Sequence, residues 1–413
     1  MKNKILDHLR DPDQLEKLYR ADKVNFRREF MMLYPGLQPS PLAEYWHVRL
    51  DYESKGIEWG SLRDGLLLTI TILVAGITAK LPTILSIDEE FFYPRNIGFV
   101  LFPALTAYFV HKNKLSTRKI AFLVSSGLIA LIFINSLPHN HHSDSLLLAC
   151  VHLLIFLWLM LGLTFVGSLQ ADSNSRLEFL KYSGDLVVIT GLFAIAGGML
   201  TGITIGLFSL LGLDIEEFYF NNVVVFGLPA APILGSYLIQ KNPQLIGRVT
   251  PTIAKIFSPL VLVMLVAYLV AIVYSGKDPY NDREFLLFFN ALLVGVMAII
   301  FYSVAESSSA KSRLEIWVLF LLSSLTIAVN GIALSAILFR ITEWGITPNR
   351  TAVLGGNLLI LIHLLIVSVR LYQALSREER LTGVGKSIAA YLPVYLVWAC
   401  IVTFLFPLLF GFS

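Results

Sequence analysis

The chain is poor in charge and nearly free of cysteine. Lys, Arg, Asp and Glu make up 15% of its 413 residues, where a soluble globular chain carries roughly a quarter. That deficit excludes an ordinary water-soluble fold, because 56% hydrophobic residues are more than a soluble core of this size could hide. The two cysteines, Cys150 and Cys400, both fall inside apolar runs, which excludes a disulfide framework. Net charge is only +3, so no nucleic-acid partner is expected. The polar N-terminus lacks a short apolar run with a small-residue cleavage site, and no signal peptide is expected. Zinc-protease, P-loop and Gly-x-Ser-x-Gly signatures are missing. No catalytic residue, cofactor or metal is therefore assigned.

What is present is apolar sequence in long blocks. About eleven runs follow residue 64, each near the roughly 20 residues that cross a bilayer. They lie near 64–82, 97–110, 119–137, 145–168, 186–211, 221–239, 256–275, 285–305, 315–338, 352–372 and 388–410. The expected fold is all-α, a polytopic transmembrane helical bundle. Alternate loops hold most of the basic residues: Lys112, Lys114, Arg118 and Lys119, then Arg176 and Lys181, Lys241, Arg248 and Lys255, Lys311 and Arg313, and Arg370, Arg377, Arg380 and Lys386. The opposite loops hold Lys80, Arg95, Lys277, Arg283, Arg340 and Arg350. Basic loops stay inside, so the N-terminus is expected in the cytoplasm and the C-terminus outside.

Residues 1–60 read as a cytoplasmic helical segment. Asp11-Pro12-Asp13-Gln14 predicts a helix start, with Asp as N-cap and Pro at the first position. Leu15, Leu18, Tyr19, Phe26, Phe30 and Leu33 then form one apolar stripe, ended by Tyr34-Pro35-Gly36. Ser40-Pro41 opens a second helix with Leu42, Tyr45, Trp46 and Leu50 on one face. A hairpin packed on the bundle or the membrane surface fits this pattern. A docking site within 1–58 for a cytosolic protein is the other reading.

Ser175-Arg176-Leu177-Glu178 recurs as Ser312-Arg313-Leu314-Glu315, each before an apolar run, and Ile253-Ala254 with Pro259 recurs as Ile388-Ala389 with Pro393. These matches predict a tandem parallel repeat of four spans, spans 4–7 and 8–11. The chain then divides into 61–144 with spans 1–3, a first unit at 145–275 and a second at 285–413, with the working groove where the units meet.

Several polar or irregular positions stand out. Gly198, Gly202 and Gly206 at four-residue spacing predict a helix-packing face, or less simply a glycine-lined path. Gly227, Pro229 and Pro232 predict a kinked or broken helix, since two prolines remove two backbone donors. Ser323, Thr326 and Asn330 share one stripe; Gly356, His363 and Arg370, with Asn357 beside them, share another. His363 suits a proton path, or a neutral ring hydrogen-bonded to a nearby Asn. Asn290, Glu306 and His152 are further polar candidates. In the outer loop, Thr347-Pro348 reads as an N-cap and helix start. Arg350 then sits in the first helical turn, where the helix dipole disfavours a cation. Glu343, a lipid phosphate or an anionic ligand would compensate it, and Arg340 is expected to pair with Glu343. Asn349 completes this candidate ligand site. His139-Asn-His-His-Ser-Asp144 has imidazoles suited to a transition metal, but no spacing that defines a site.

The loop Trp344-Gly-Ile-Thr-Pro-Asn-Arg350 resembles that of the bacterial integral-membrane family catalogued as domain of unknown function 4153. The run Leu207-Phe-Ser-Leu-Leu-Gly-Leu213 is similar to the same family. The resemblance implies a bacterial inner-membrane protein, sometimes loosely termed a permease, and transfers no catalytic residue. The expected function is permease-like movement of a small or amphiphilic solute between two helical repeats. The alternative is a non-catalytic signalling or assembly subunit that recruits a cytosolic partner through its N-terminal helices. Membrane lipids are the expected surroundings.

Overall fold

The computed structural model describes residues 2–9, 11–37, 40–54, 62–138, 140, 143–168, 172–210, 214–242, 283–305, 313–377 and 382–411, with a few helical positions between 258 and 270. Every regular element among them is helical. The chain divides at Gly60/Ser61 into two compact units.

The N-terminal unit contains α1 (Lys2–Asp7), α2 (Pro12–Ala21), α3 (Lys23–Leu33) and α4 (Pro41–Ser54). Asp11 caps α2, accepting from the backbone N–H of Asp13 and Gln14 at 3.1 and 3.2 Å. The apolar stripe expected to form one long helix is split at Asp22. Its side chain accepts from Asn25 N–H and caps a new helix instead, since a short acidic side chain competes well for free backbone donors. The fold lets Ile5, Leu15, Tyr19, Phe26, Phe30, Ala43, Trp46 and Leu50 close one core. The unit is thus a small helical body with its own interior rather than a hairpin. Tyr45, expected on the buried face of α4, is 72% exposed.

Glu16 on α2 links this unit together, bonding Arg20 at 2.8 Å and Arg49 of α4 at 2.7 Å. The Arg49 guanidinium also stacks over Tyr19 and Trp46. The hydrogen bond from Arg20 holds the Glu16 carboxyl below its ordinary range; burial opposes it, and the Arg49 hydrogen bond and charge add to the lowering. A depressed carboxylate stabilises the fold above its unfolded pKa, and that contribution is lost as pH falls through the folded value. Glu16→Gln is therefore expected to cost up to about 1 kcal/mol at neutral pH and less at pH 3. Thermal melts at both pH values test this, and an equal loss at both would refute it.

The second unit holds α5 (Leu62–Leu85), α6 (Glu89–Lys112), α7 (Thr117–Ser136), α8 (Asp144–Val166), α9 (Ser173–Leu210), α10 (Glu216–Lys241), α11 (Arg283–Ala305), α12 (Arg313–Trp344), α13 (Pro348–Arg377) and α14 (Thr382–Cys400, continuing to Leu409). Among the described residues, eight helices are long and apolar enough to cross a membrane: α5, α7, α8, α9, α10, α12, α13 and α14. The apolar part of α11 is shorter, Leu292–Ala305. Large apolar side chains such as Ile129, Ile132, Met199 and Leu200 are exposed, as on helices that face lipid. These features are consistent with a multi-pass membrane protein. The apolar run at 256–275 lies largely outside the described residues, as do Glu306, Ile253-Ala254 and the three histidines at 139, 141 and 142.

Three joints set the packing. Helices α5 and α10 run antiparallel: Lys241 pairs with Asp64 at 2.9 Å, Gly76 lies under the Phe226 ring, and Lys80 donates to Asn222. Helices α9 and α11 meet where the Tyr302 ring covers Gly184 and its hydroxyl donates to Asp185 at 2.9 Å. Helices α13 and α14 meet where the Trp398 ring covers Gly355. A shared apolar core joins α9, α11, α12, α13 and α14 around Leu180, Ile300, Val329, Leu364 and Ile388.

These contacts correct two expectations. A Cβ at Gly198 or Gly202 would meet nothing within 4 Å, so among the described residues these two glycines pack against no other helix; the surroundings of Gly206 lie outside the described residues. Small residues permit close approach without compelling it, and here α9 spends its contacts nearer its start. Nor is α10 broken at its prolines. Pro229 and Pro232 are buried inside a continuous Val225–Lys241, and Gly227 is exposed with open space beside it. The irregularity falls earlier, in a π turn at Phe220–Val224. A second π turn, Ile401–Leu405, precedes Pro407 in α14. In α14 the carbonyl that Pro407 deprives of its usual donor, that of Thr403, lies inside the π turn, whose widening makes room for the ring.

Candidate functional site

Four helices of the second unit surround a chamber of about 880 Å³. Asp144 and His152 come from α8, Asn290 from α11 and Arg340 from α12. The α12–α13 loop and α13 contribute Thr347, Asn349, Arg350, Gly356 and Asn357. The lining runs from Asn349 to Ile360 along α13. At 1.5 Å per residue that is about 16 Å, roughly half the apolar thickness of a bilayer.

The loop geometry follows from local chemistry. Gly345 has φ 77° and its N–H bonds the Ile341 carbonyl at 2.9 Å, so α12 ends in the left-handed turn that glycine adopts without strain. Thr347 Oγ1 accepts from Arg350 N–H at 3.3 Å, the N-cap expected ahead of Pro348. Arg350 resolves its unfavourable dipole position in a way not foreseen. Its Nη1 donates to the Trp344 and Gly345 carbonyls at 2.8 and 2.7 Å, and its guanidinium lies 5.6 Å from the Trp344 ring. The negative end of α12 thus offsets the positive end of α13.

Glu343 takes no part in this. It is exposed and, among the described residues, has no cation within 4 Å. Arg340 instead turns inward, is 8% exposed, and lies 5.7 Å from the Trp344 ring. The expected Arg340–Glu343 pair does not form, because Arg340 packs in the protein interior while Glu343 stays at the surface.

Below the two arginines, amides link three helices. Asn357 Nδ2 donates to Asn290 Oδ1 at 2.8 Å, and Asn330 Nδ2 donates to the Asn357 carbonyl at 3.0 Å. Asn330 is fully buried, and its Oδ1 has no hydrogen-bond partner among the described residues. A buried acceptor without a donor is costly and invites one. His152 Nδ1 donates to the Leu148 carbonyl at 2.9 Å, leaving Nε2 as an acceptor. Guanidinium, amide and imidazole groups around one cavity equip it to recognise a polar or anionic group by charge and hydrogen bonds.

His363 lies elsewhere. Six residues beyond Asn357, about 9 Å further along α13, it is fully buried and lines no part of the chamber. Its Nδ1 meets Tyr395 Oη at 2.9 Å, and the rings of Phe301 and Tyr391 lie 4.5 and 4.3 Å away. Its partner is a tyrosine of α14 rather than a neighbouring Asn.

The chamber therefore gathers Arg340, Thr347, Asn349, Arg350 and Asn357, with Asn330 next to it, and leaves out Glu343 and His363. Asn290 and His152, singled out as separate polar positions, join it. Asp144 was visible only as part of the histidine-rich loop, and Asp185 was missed because it stands at the edge of an apolar run. Among the described residues, neither α9 nor α10 lines the chamber; the groove forms between α8 and α11–α13. No family model, curated protein or solved structure matches this chain.

Proposed function

We propose that this chain is a permease-like protein of a bacterial inner membrane, and that the chamber between α8 and α11–α13 admits a small or amphiphilic solute with an anionic or hydrogen-bonding group. The observation that carries this reading is the 880 Å³ chamber with Arg340, Arg350, Asn290 and Asn357 at its wall and the linked amide of Asn330 behind it. Polar and ionisable groups at membrane depth usually face protein or water and mark solute paths. The loop resemblance to the family of unknown function 4153 supports the same reading. In this proposal about eleven crossings form an N-terminal three-span part and two four-span repeats. The loops rich in Lys and Arg face the cytoplasm, and the chamber opens outward.

Reconstituted protein tests the proposal. Liposomes containing it should take up at least one member of a panel of small organic anions and lysolipids faster than empty liposomes. Arg340→Gln should slow that flux by about tenfold or more, the loss of one charge-assisted contact of at least 1.4 kcal/mol. Vesicles that stay sealed to the whole panel would overturn it.

A second reading rests on the N-terminal unit. It has a closed core of its own while Met32, Tyr45 and Val48 stay exposed, a surface fit for a cytosolic partner. Deleting residues 1–58 separates the two: a permease keeps its flux, whereas an assembly subunit loses its bound protein.

A further inference from the structure

A second large cavity, about 950 Å³, lies away from the chamber, between α6, α7 and α8 with a little of α5. Its shape follows from how α7 is held. The buried residues of α7 are Ala130 and Ile134, with Leu137 just beyond, all toward its C-terminal end. There Asn96 and Asn135 exchange amide hydrogen bonds at 2.9 and 2.8 Å, and Arg95 donates to the Pro138 carbonyl at 3.3 Å. The first half of α7 contributes no buried residue. Among the described residues, the one side-chain hydrogen bond from that half to the bundle is that of the long Lys119, to the Gly167 carbonyl. Helix α7 is pinned to α6 at one end and stands off at the other, leaving a wedge.

The wedge is walled by Phe99, Phe102, Leu123, Leu128, Phe156 and Met160, with Gly127 leaving room in the α7 wall. Among the described residues, no carboxylate lines it. Its open end carries His111 and Lys114, both exposed, with Arg118 close by in sequence. From Phe92 to His111 the lining extends about 28 Å along α6, close to the apolar thickness of a bilayer. Lys114 also has φ 46°, a left-handed conformation that a glycine would adopt without strain.

We infer that this wedge holds an anionic phospholipid from the leaflet on the Lys114 side. The phosphate lies on Lys114 and His111, and acyl chain fills the space between α6 and the free half of α7. The apolar walls fit the chains, and a cationic rim without a carboxylate fits the headgroup charge. An amphiphile closes a gap that neither side chains nor water can fill.

The test compares phosphatidylglycerol and phosphatidylcholine of identical chains, added to the delipidated protein in mild detergent and read by native mass spectrometry. The wild-type protein should retain phosphatidylglycerol about fivefold more than phosphatidylcholine, the factor one basic group near an anionic headgroup supplies. Lys114→Glu lies in an exposed turn and should fold normally while bringing that ratio near one. Gly127→Trp should fill the wedge and lower retention of both lipids, with its melting temperature checked against wild type. Equal retention of the two lipids by wild type, an unchanged ratio in Lys114→Glu, or a dimer that carries no lipid would each overturn the inference. Failed solute flux would leave it standing, since the chamber and the wedge share no lining residue.

Discussion

Gly355→Leu is expected to lose the assembled α13–α14 pair, with a cost of about 3 kcal/mol or more. A Cβ at position 355 would stand 2.0 Å from the Trp398 ring, closer than any real carbon contact. Trp398 cannot swing clear without penalty, because it packs beside Phe406 and partly buried neighbours of Ala352 and Val402. Total folding free energies are only about 5–15 kcal/mol, so the variant should be recovered in poor yield and melt well below wild type. Trp398→Leu should restore much of the loss in the double variant, because the two residues share one space. A Gly355→Leu protein that melts like wild type would show that the two helices do not approach as described.

The second large effect is expected at the joint of α9 and α11. Tyr302→Phe removes the hydroxyl that donates to Asp185, whose residue is 5% exposed. Losing a donor to a buried carboxyl costs about 1–3 kcal/mol. The ring remains over Gly184, so packing is conserved and the loss isolates the hydrogen bond. Asp185→Asn keeps an acceptor and should cost less. Gly184→Leu should cost more than either, since a Cβ there would lie 2.0 Å from the Tyr302 ring. Thermal unfolding of the three variants in one detergent ranks them. An order in which Tyr302→Phe is silent, or Gly184→Leu is the mildest, would refute this account of the joint.

Much of the candidate chamber was legible because it is nearly continuous in sequence. Arg340, Thr347, Asn349, Arg350 and Asn357 lie within about five helical turns, and the Thr347-Pro348 cap dictates how the chain reverses between α12 and α13. The far wall was not legible as such. Asp144 and His152 come from α8, distant in sequence, and no local pattern says which apolar helix an Arg or Asn will meet. The Arg340–Glu343 pair shows the same limit. Spacing permitted it, but burial of one partner and exposure of the other prevented it.

Helix starts, apolar blocks and turns were determined by the sequence alone, because they depend on contacts between residues a few positions apart: Asp11 over Asp13 and Gln14, Thr347 over Arg350, Gly345 closing α12. Which glycines serve as contacts was decided only in three dimensions. Gly198 and Gly202 have a packing motif and face open space, whereas Gly76, Gly184 and Gly355 have none and lie under aromatic rings. The same holds for the prolines of α10, where the helix yields in the π turn at Phe220–Val224 rather than at Pro229 itself. Local backbone preferences act within one helix, while close approach and strain relief are settled by whichever neighbour the whole bundle brings alongside.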